Sequence, residues 1–533
     1  MDFRDIPAHE VPHTSKLVGD FVEHFPRLES FFAYQPGFKA VKKCAHKLKF
    51  PGERRRRVAD VLRAQNKLFG SGHATERNID RLAEGAVAVV SGQQVGLFGG
   101  PAYSVYKALS AIQTAEKLTK DGIPAVPVFW MATEDHDVDE VRRVGWFHQG
   151  ELLNFELPKP VEEAIPVGRV RLGAQIDELV RRVQPLVGET FGNYLHEAYV
   201  PEATYGSGFA ALFARIFGDF GLILLDPLDD RLHQIAAPVL RDALACRDEL
   251  NEALLARGKA LEAAGYEPQV KVTSRSTLLF SLTKGKREVI TASNGTFTSG
   301  TVSLPREQWL ALVEAEPENF SPNAILRPVM QDFLLPTVAY FAGPSEIAYF
   351  AQSHVLYQKL LGRMPVLLPR ADFTLVDPKA ERLLKKYHLH VEDVWAGSET
   401  LRKRMYNSVV PKKLAREFDD KLHAIEKSFQ TLHKAIAKVD PTIQGTIARA
   451  EKRICYQIEK LRHKTGAALD RREGQITAHQ SFLENLLHPQ KALQSRDLCF
   501  LPFLARWGGG GLHELQKLAD PARLGRHIIV PIP

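Results

Sequence analysis

Cysteine is scarce in this sequence: four residues in 533, at Cys44, Cys246, Cys455 and Cys499, with no two in a CxxC pair. That spacing argues against both a zinc ribbon and a disulfide scaffold, so reduced, mostly structural thiols are expected. No apolar run approaches the ~20 residues needed to cross a bilayer. The opening Met1-Asp2-Phe3-Arg4-Asp5 also lacks the charged-then-apolar pattern of a secretory leader. A cytoplasmic chain without a membrane partner is the expectation. Excess charge is slight, a net +7 from 70 Lys+Arg against 63 Asp+Glu. The cluster Arg54-Arg55-Arg56-Arg57 precedes Val58, Val61, Leu62 and Leu68 on an amphipathic pattern, which reads as a solvated basic face. No nucleic-acid module accompanies it, so no nucleic-acid partner is expected.

What is present is an alternation of strand and helix patterns long enough for two to four structural units. Ala86-Val87-Ala88-Val89-Val90 is an uncharged, mostly β-branched run that predicts a strand buried on both faces. Val126–Ala132, Leu222–Leu225, Thr337–Phe341 and Pro365–Leu368 are further strand candidates, most with helical patterns between them. The fold class this predicts is α/β, a doubly wound, Rossmann-like parallel core. Residues 1–85 form its helical flank, with Phe21, Phe25, Leu28, Phe31 and Phe32 at helical spacing; the core runs over residues 86–385. Two insertions interrupt it, a mixed one near 150–200 and one near 258–305. The second contains Thr277–Leu282, Glu288–Thr291 and Thr296–Thr298, separated by the turns Lys284-Gly285-Lys286 and Asn294-Gly295, and predicts an antiparallel meander of the kind that roofs a site. Residues 386–490 change character. Leu414, Phe418, Leu422, Ile425, Phe429, Leu432, Ile436 and Val439 alternate steps of four and three, the seam of a coiled coil. Asp440-Pro441 breaks it, and Ile443, Ile447, Ile454, Ile458, Leu461 and Leu469 continue a similar stripe, so an antiparallel helical hairpin is expected. A further exposed stripe would call for a second chain, hence a homodimer. Residues 491–533, irregular and glycine-rich at Gly508–Gly511, return to the core.

The chemistry concentrates where strands end. After the first strand come Gly92, Gln93, Gln94, Gly96, Gly99 and Gly100, then Pro101 at a helix start. Such a loop aims free N–H groups at an anion, although it has neither the Gly-Lys-Ser/Thr ending of a Walker A sequence nor dinucleotide spacing. Gln93 and Gln94 suit hydroxyls or amides of a polar substrate. Tyr103 and Lys107, four apart, project from one helical face toward the loop; Lys107 is either an anion contact or an ordinary surface lysine. The second strand runs into Thr133-Glu134-Asp135-His136-Asp137. A histidine between carboxylates is a general base, a cation for an anionic substrate, or a helix cap; we assign His136, Asp135 and Asp137 to catalysis because strand carboxyl ends are the ligand crevice of this architecture. A metal held by Glu134, His136 and Asp137 lacks a further histidine at helical spacing, and no metal is required. A third loop, Gly343-Pro344-Ser345-Glu346, repeats the design of strand, glycine, proline and acidic first turn. Upstream, Asn323, Arg327 and Gln331 are spaced by four on a possible helix, and Arg327 is either a carboxylate or phosphate clamp or one half of an internal ion pair.

Gly92-Gln93-Gln94 with Gly99-Gly100-Pro101-Ala102-Tyr103 and Lys107, Pro127-Val128-Phe129-Trp130 before Glu134–Asp137, and Arg327-Pro328-Val329-Met330-Gln331 before Leu335-Pro336-Thr337 together resemble the BshC family, the cysteine ligases of bacillithiol biosynthesis. The resemblance spans essentially the whole chain. It implies a Rossmann-like core with two connecting-peptide insertions, a dimerising coiled coil, and an activity joining cysteine to the amino group of glucosaminyl malate. Gln494-Ser495-Arg496 stands where relatives tend to carry Gln-Glu-Arg; the middle position departs, and Arg496 remains a candidate anion contact. Amide formation needs an activated carboxylate, which points to ATP through an acyl-adenylate or acyl-phosphate. The other readings are a class I aminoacyl-tRNA-synthetase-like nucleotidyl transferase, for which no His-x-Gly-His follows the first strand, and a non-catalytic coiled-coil scaffold.

Overall fold

The computed structural model describes residues 3–162, 164–282 and 285–533. Its centre is a five-stranded parallel sheet of β1 (Val87–Gln93), β2 (Ala125–Met131), β3 (Ile223–Leu225), β4 (Thr337–Ala342) and β5 (Val366–Pro369). The spatial order is β5-β4-β1-β2-β3, so the direction of winding reverses between β1 and β4. Both faces are covered, as the strand sequences require. Val87 and Val89 face helix α1 (Tyr103–Lys120), while Ala88 and Val90 face the opposite core with Val126 and Val128. The open edge at β3 is closed by a side chain: buried Asn66 donates to the Leu224 carbonyl at 2.8 Å and accepts from the Leu224 N–H at 3.0 Å. This pairing hides an edge that would otherwise offer itself to another strand.

The N-terminal flank is helical over Lys16–Glu23, Phe38–Lys47, Gly52–Leu68 and His73–Glu84, with one strand, Arg4–Pro7, that the sequence pattern did not reveal. The arginine cluster is not uniformly solvated. Arg54 stacks on Phe333 with its guanidinium 3.5 Å from the ring centroid, and Arg55 donates to the carbonyls of Leu82 and Ala86. Only Arg56 and Arg57 lie exposed. The meander forms Ser276–Ser281, Glu288–Ser293, Thr296–Ser299 and Val302–Pro305, with Phe320–Pro322 added at its edge. Asn294-Gly295 makes the turn expected of it; Lys284, from the other expected turn, lies outside the described residues.

Residues beyond β5 build two further parts. Asp372–Val376 leaves the core sheet and pairs in parallel with Arg526–Pro531, whose other edge takes Arg4–Pro7 antiparallel. The hairpin is made by α2 (Lys412–Ala437) and α3 (Gln444–Glu473), joined by a 3-10 turn at Pro441–Ile443. Its second stripe does not all face the first arm: Ile443, Ile454 and Leu461 are exposed, and so is Leu432 on α2. The glycine-rich tail is more regular than its composition implies, with helices at Leu501–Trp507 and Gly510–Leu518. Among the described residues no helix is long and apolar enough to cross a membrane.

The tail is anchored by Gln494, which is fully buried. Its amide accepts from the Leu375 N–H at 2.7 Å and donates to the carbonyls of Leu375 and Leu486, each at 2.9 Å. Gln494→Ala strands buried backbone groups at about 1–3 kcal/mol each. A drop of several degrees in the thermal midpoint is the expected result in differential scanning calorimetry.

Candidate active site

The winding reversal leaves a crevice at the carboxyl ends of β1 and β4, the place where open α/β sheets bind ligands. Here it is a cavity of about 760 Å³. The loops after β1, β2 and β4 form its floor, the meander its roof through Leu278, Leu279, Phe280 and Val289, and Arg496 of the tail part of its rim. Gly92 is at its edge because nothing larger fits: a Cβ there would lie 2.5 Å from the Trp130 carbonyl oxygen.

Lys107 is neither a surface lysine nor a free anion contact. It is 2% exposed, and its ammonium donates to the Gly92 carbonyl at 2.7 Å, to Gln93 Oε1 at 2.8 Å and to Glu346 Oε2. All three hydrogens are committed. Glu346 reciprocates from the first turn of the helix Pro344–Leu360: it also accepts from the Gly343 N–H at 2.6 Å and from the Tyr340 hydroxyl at 2.6 Å. Burial opposes its charge, but Lys107 and these donors hold its carboxyl below the ordinary value. The Gln93 amide donates to Tyr103, whose hydroxyl burial pushes up to about 12.

Three of the expected glycines are not part of this wall. The N–H groups of Gly96, Gly99 and Gly100 are bonded to Gln94, Gly96 and Leu97 carbonyls, and that of Gly99 also to the Tyr199 hydroxyl. A Cβ on Gly96 would sit 2.7 Å from Gly100 Cα, so the glycines permit a tight fold of the loop rather than an anion cradle. This loop is covered by the tail, where Ala102 donates to the Leu498 carbonyl.

The loop after β2 divides its residues among separate partners. Asp135 lines the cavity; it accepts from the Gln94 amide at 2.6 Å and from the His136 N–H at 2.8 Å, with Arg287 3.5 Å away. His136 does not line the cavity. Its Nδ1 is 3.0 Å from Arg287, and since a guanidinium only donates, that nitrogen is the acceptor and the ring hydrogen sits on Nε2. Asp137 is exposed and caps the short helix Val138–Val141 by accepting from the Glu140 N–H. Glu134 also lines the cavity, with its Oε1 directed to buried His233 behind the wall. The expected catalytic trio therefore contributes one residue to the cavity, and Glu134, His136 and Asp137 do not converge. Among the described residues no group of three acidic, histidine or cysteine side chains is placed to share a metal ion.

Arg327 is in the cavity wall at the start of helix Arg327–Leu334, and among the described residues no carboxylate is paired with it. It donates to Gln331 at 3.0 Å and to the hydroxyls of Tyr340 and Tyr349 at 3.3 and 3.0 Å. Asn323 precedes that helix rather than joining it, accepting from the Ile325 and Leu326 N–H groups. Arg370, 8% exposed, follows β5 and lies over the Tyr103 ring; Asp372 fixes it at 2.8 Å and is itself close to His527. Glu140, Arg287, Tyr349 and Arg370 were not singled out from the sequence. Arg370 and Tyr349 carried a signal, a charge just past a strand and a polar ring one turn after Glu346; Arg287 carried none.

The ion pair has a testable consequence. Losing one partner of a buried pair costs about 3–5 kcal/mol, so Glu346→Gln is expected to lower stability by that order near pH 7. Because the folded carboxyl is held below its ordinary 4.5, its contribution is complete above that pH and is lost as the pH falls through the depressed value. The gap between wild type and variant in urea unfolding should stay constant down to about pH 5 and narrow below it.

Comparison with known proteins covers the chain from one side to the other. The family model described as "Bacillithiol biosynthesis BshC, N-terminal Rossmann-like domain" matches residues 1–371, and "Bacillithiol biosynthesis BshC, C-terminal coiled-coil domain" matches residues 373–532. The chain is similar to proteins named "Putative cysteine ligase BshC" in several bacteria. It is 40% identical to that of Koribacter versatilis over 519 residues, 97% of each chain. Identity is 38% over 506 residues with Solibacter usitatus, 94% of each chain, and 30% over 546 aligned residues with Geobacillus thermodenitrificans, 100% of each.

Proposed function

Because the chain belongs to the BshC family of bacillithiol biosynthesis, we propose that it is a ligase joining the carboxyl group of cysteine to the amino group of glucosaminyl malate, in the cytoplasm. The observation that carries this reading is the mixed charge of one cavity. Arg327, Arg370 and Arg496 offer guanidiniums on the β4, β5 and tail sides, and Glu134 and Asp135 offer carboxylates on the β2 side. Two substrates that together bring carboxylates, an ammonium and sugar hydroxyls match such a wall better than an apolar or singly charged ligand. The Gln93 amide and the Tyr103 hydroxyl beside it suit the sugar. ATP, as cosubstrate, would supply activation of the cysteine carboxylate. Its phosphates would be met by the guanidiniums, since the N–H groups of Gly96, Gly99 and Gly100 are spent within the loop.

A strain lacking the gene should lose one low-molecular-weight thiol and accumulate its cysteine-free precursor in mass-spectrometric profiling; an unchanged thiol pool overturns the reading. Arg496 is exposed at the rim and anchors no core element, so Arg496→Ala should fold normally. Its kcat/KM should fall about 10- to 100-fold, the worth of one charge-assisted contact.

We also propose a homodimer through the hairpin. No residue of α2 is fully buried within one chain, and Ile454 and Leu461, 44% and 55% exposed, lie two turns apart on α3. Ile454→Glu combined with Leu461→Glu should halve the mass seen by light scattering. A wild-type protein that already has the monomer mass rules the dimer out.

A further inference from the structure

One carboxylate of the cavity wall has its partner behind the wall. Glu134 is 5% exposed, and its Oε1 is enclosed 3.3 Å from Nε2 of His233, a residue 1% exposed on the helix Asp230–Ala245. The other ring nitrogen, Nδ1, is 3.2 Å from the Pro317 carbonyl oxygen. A carbonyl only accepts, so Nδ1 carries a hydrogen. If Nε2 were bare, its lone pair would face a carboxylate oxygen in a site closed to water, two acceptors with nothing between them. The contact is favourable only with a proton there. That proton belongs to the ring, whose hold on it the neighbouring carboxylate strengthens, and His233 is the cation of the buried contact. Burial works against a charged ring, and Glu134 together with the Pro317 and Pro227 carbonyls more than offsets it, raising the His233 pKa above its ordinary value.

The charged groups around the pair do not compete for that proton. Asp226 is occupied by the Thr133 hydroxyl and the Leu228 N–H, and Arg287 on the roof side is engaged by Asp135 and His136. Arg287 acts on the Glu134 charge from the roof side, but among the described residues no hydrogen bond from it reaches the Glu134 carboxylate, whose Oε1 has no hydrogen-bond partner apart from its contact with His233 and which lines the cavity. Asp135, by contrast, already has three donors around it.

We propose that Glu134 is the ammonium-binding residue of the cavity, receiving the primary amine of a substrate, and that His233 is a positioning residue that fixes the orientation of this carboxylate from behind the wall. The identity of the amine rests on the ligase reading above: it is the α-amine of cysteine or the sugar amine of glucosaminyl malate. Full-length protein is titrated by calorimetry with each of these and with its amine-free counterpart, 3-mercaptopropionate or glucosyl malate. Glu134→Gln, which keeps the shape, should weaken one amine ligand about 10- to 100-fold and leave its amine-free counterpart unchanged. Equal losses for both members of a pair, or no loss for either amine, overturn the assignment.

The role of His233 is read separately, by 15N resonances of ring-labelled protein assigned with His233→Gln. Wild type should show both ring nitrogens protonated at pH 7.5, and Glu134→Gln should show one. A singly protonated ring in wild type overturns the pair. If wild type binds neither cysteine nor glucosaminyl malate, the ligase reading falls, whereas the ring resonances still decide whether the pair exists.

Discussion

One ammonium group ties together the two strands between which the sheet changes direction. Lys107 comes from the helix that follows β1, yet it binds the last turn of β1 through Gly92 and Gln93 and the loop after β4 through Glu346. Without such a bridge, the loops at a reversal point diverge, since the chain leaves β1 and β4 toward opposite faces of the sheet. The interaction is costly to desolvate and is stable only because every hydrogen of the ammonium and both oxygens of Glu346 find partners. The positions of Gln93, Tyr103, Tyr340 and Gly343 follow from it, and so does the shape of the cavity floor.

Around that fixed floor the charges are sorted by source. Guanidiniums arrive from the β4 side, the end of β5, the meander and the tail: Arg327 is held by neutral oxygens, Arg370 by Asp372 outside the cavity, and Arg287 lies against Asp135. Carboxylates arrive from the loop after β2. Neither set neutralises the other completely, so charge of both signs remains on the cavity wall. The meander and the tail complete it from above, and neither belongs to the core sheet.

The fold was largely legible in sequence because apolar periodicity reports burial directly. The five core strands, three strands of the meander and the hairpin all have repeating patterns, and all were placed to within a few residues. The strand Arg4–Pro7 was not, being four residues with no alternation and a partner far along the chain. For the cavity, sequence located the loops but not the allegiance of their side chains. Lys107, His136 and Asp137 look alike as polar groups at strand or helix ends. In space the first is a strut, the second accepts from an arginine of the meander, and the third is a cap. His233 shows the limit: a histidine among Leu232, Ile235 and Ala236 has the pattern of a core position, and only the distance to Glu134 distinguishes it.

The three-stranded sheet that joins Arg4–Pro7, Arg526–Pro531 and Asp372–Val376 sets an order on assembly. The first strand emerges from the ribosome with an unpaired edge and waits through nearly the whole of translation for its neighbour, a state in which exposed edges invite wrong pairing. Arg496 and the Leu498 contact that covers the glycine loop arrive with the same late segment. The Rossmann-like core can therefore be folded well before the cavity is complete, and a nascent chain paused short of its tail would be structured but would lack that part of the rim.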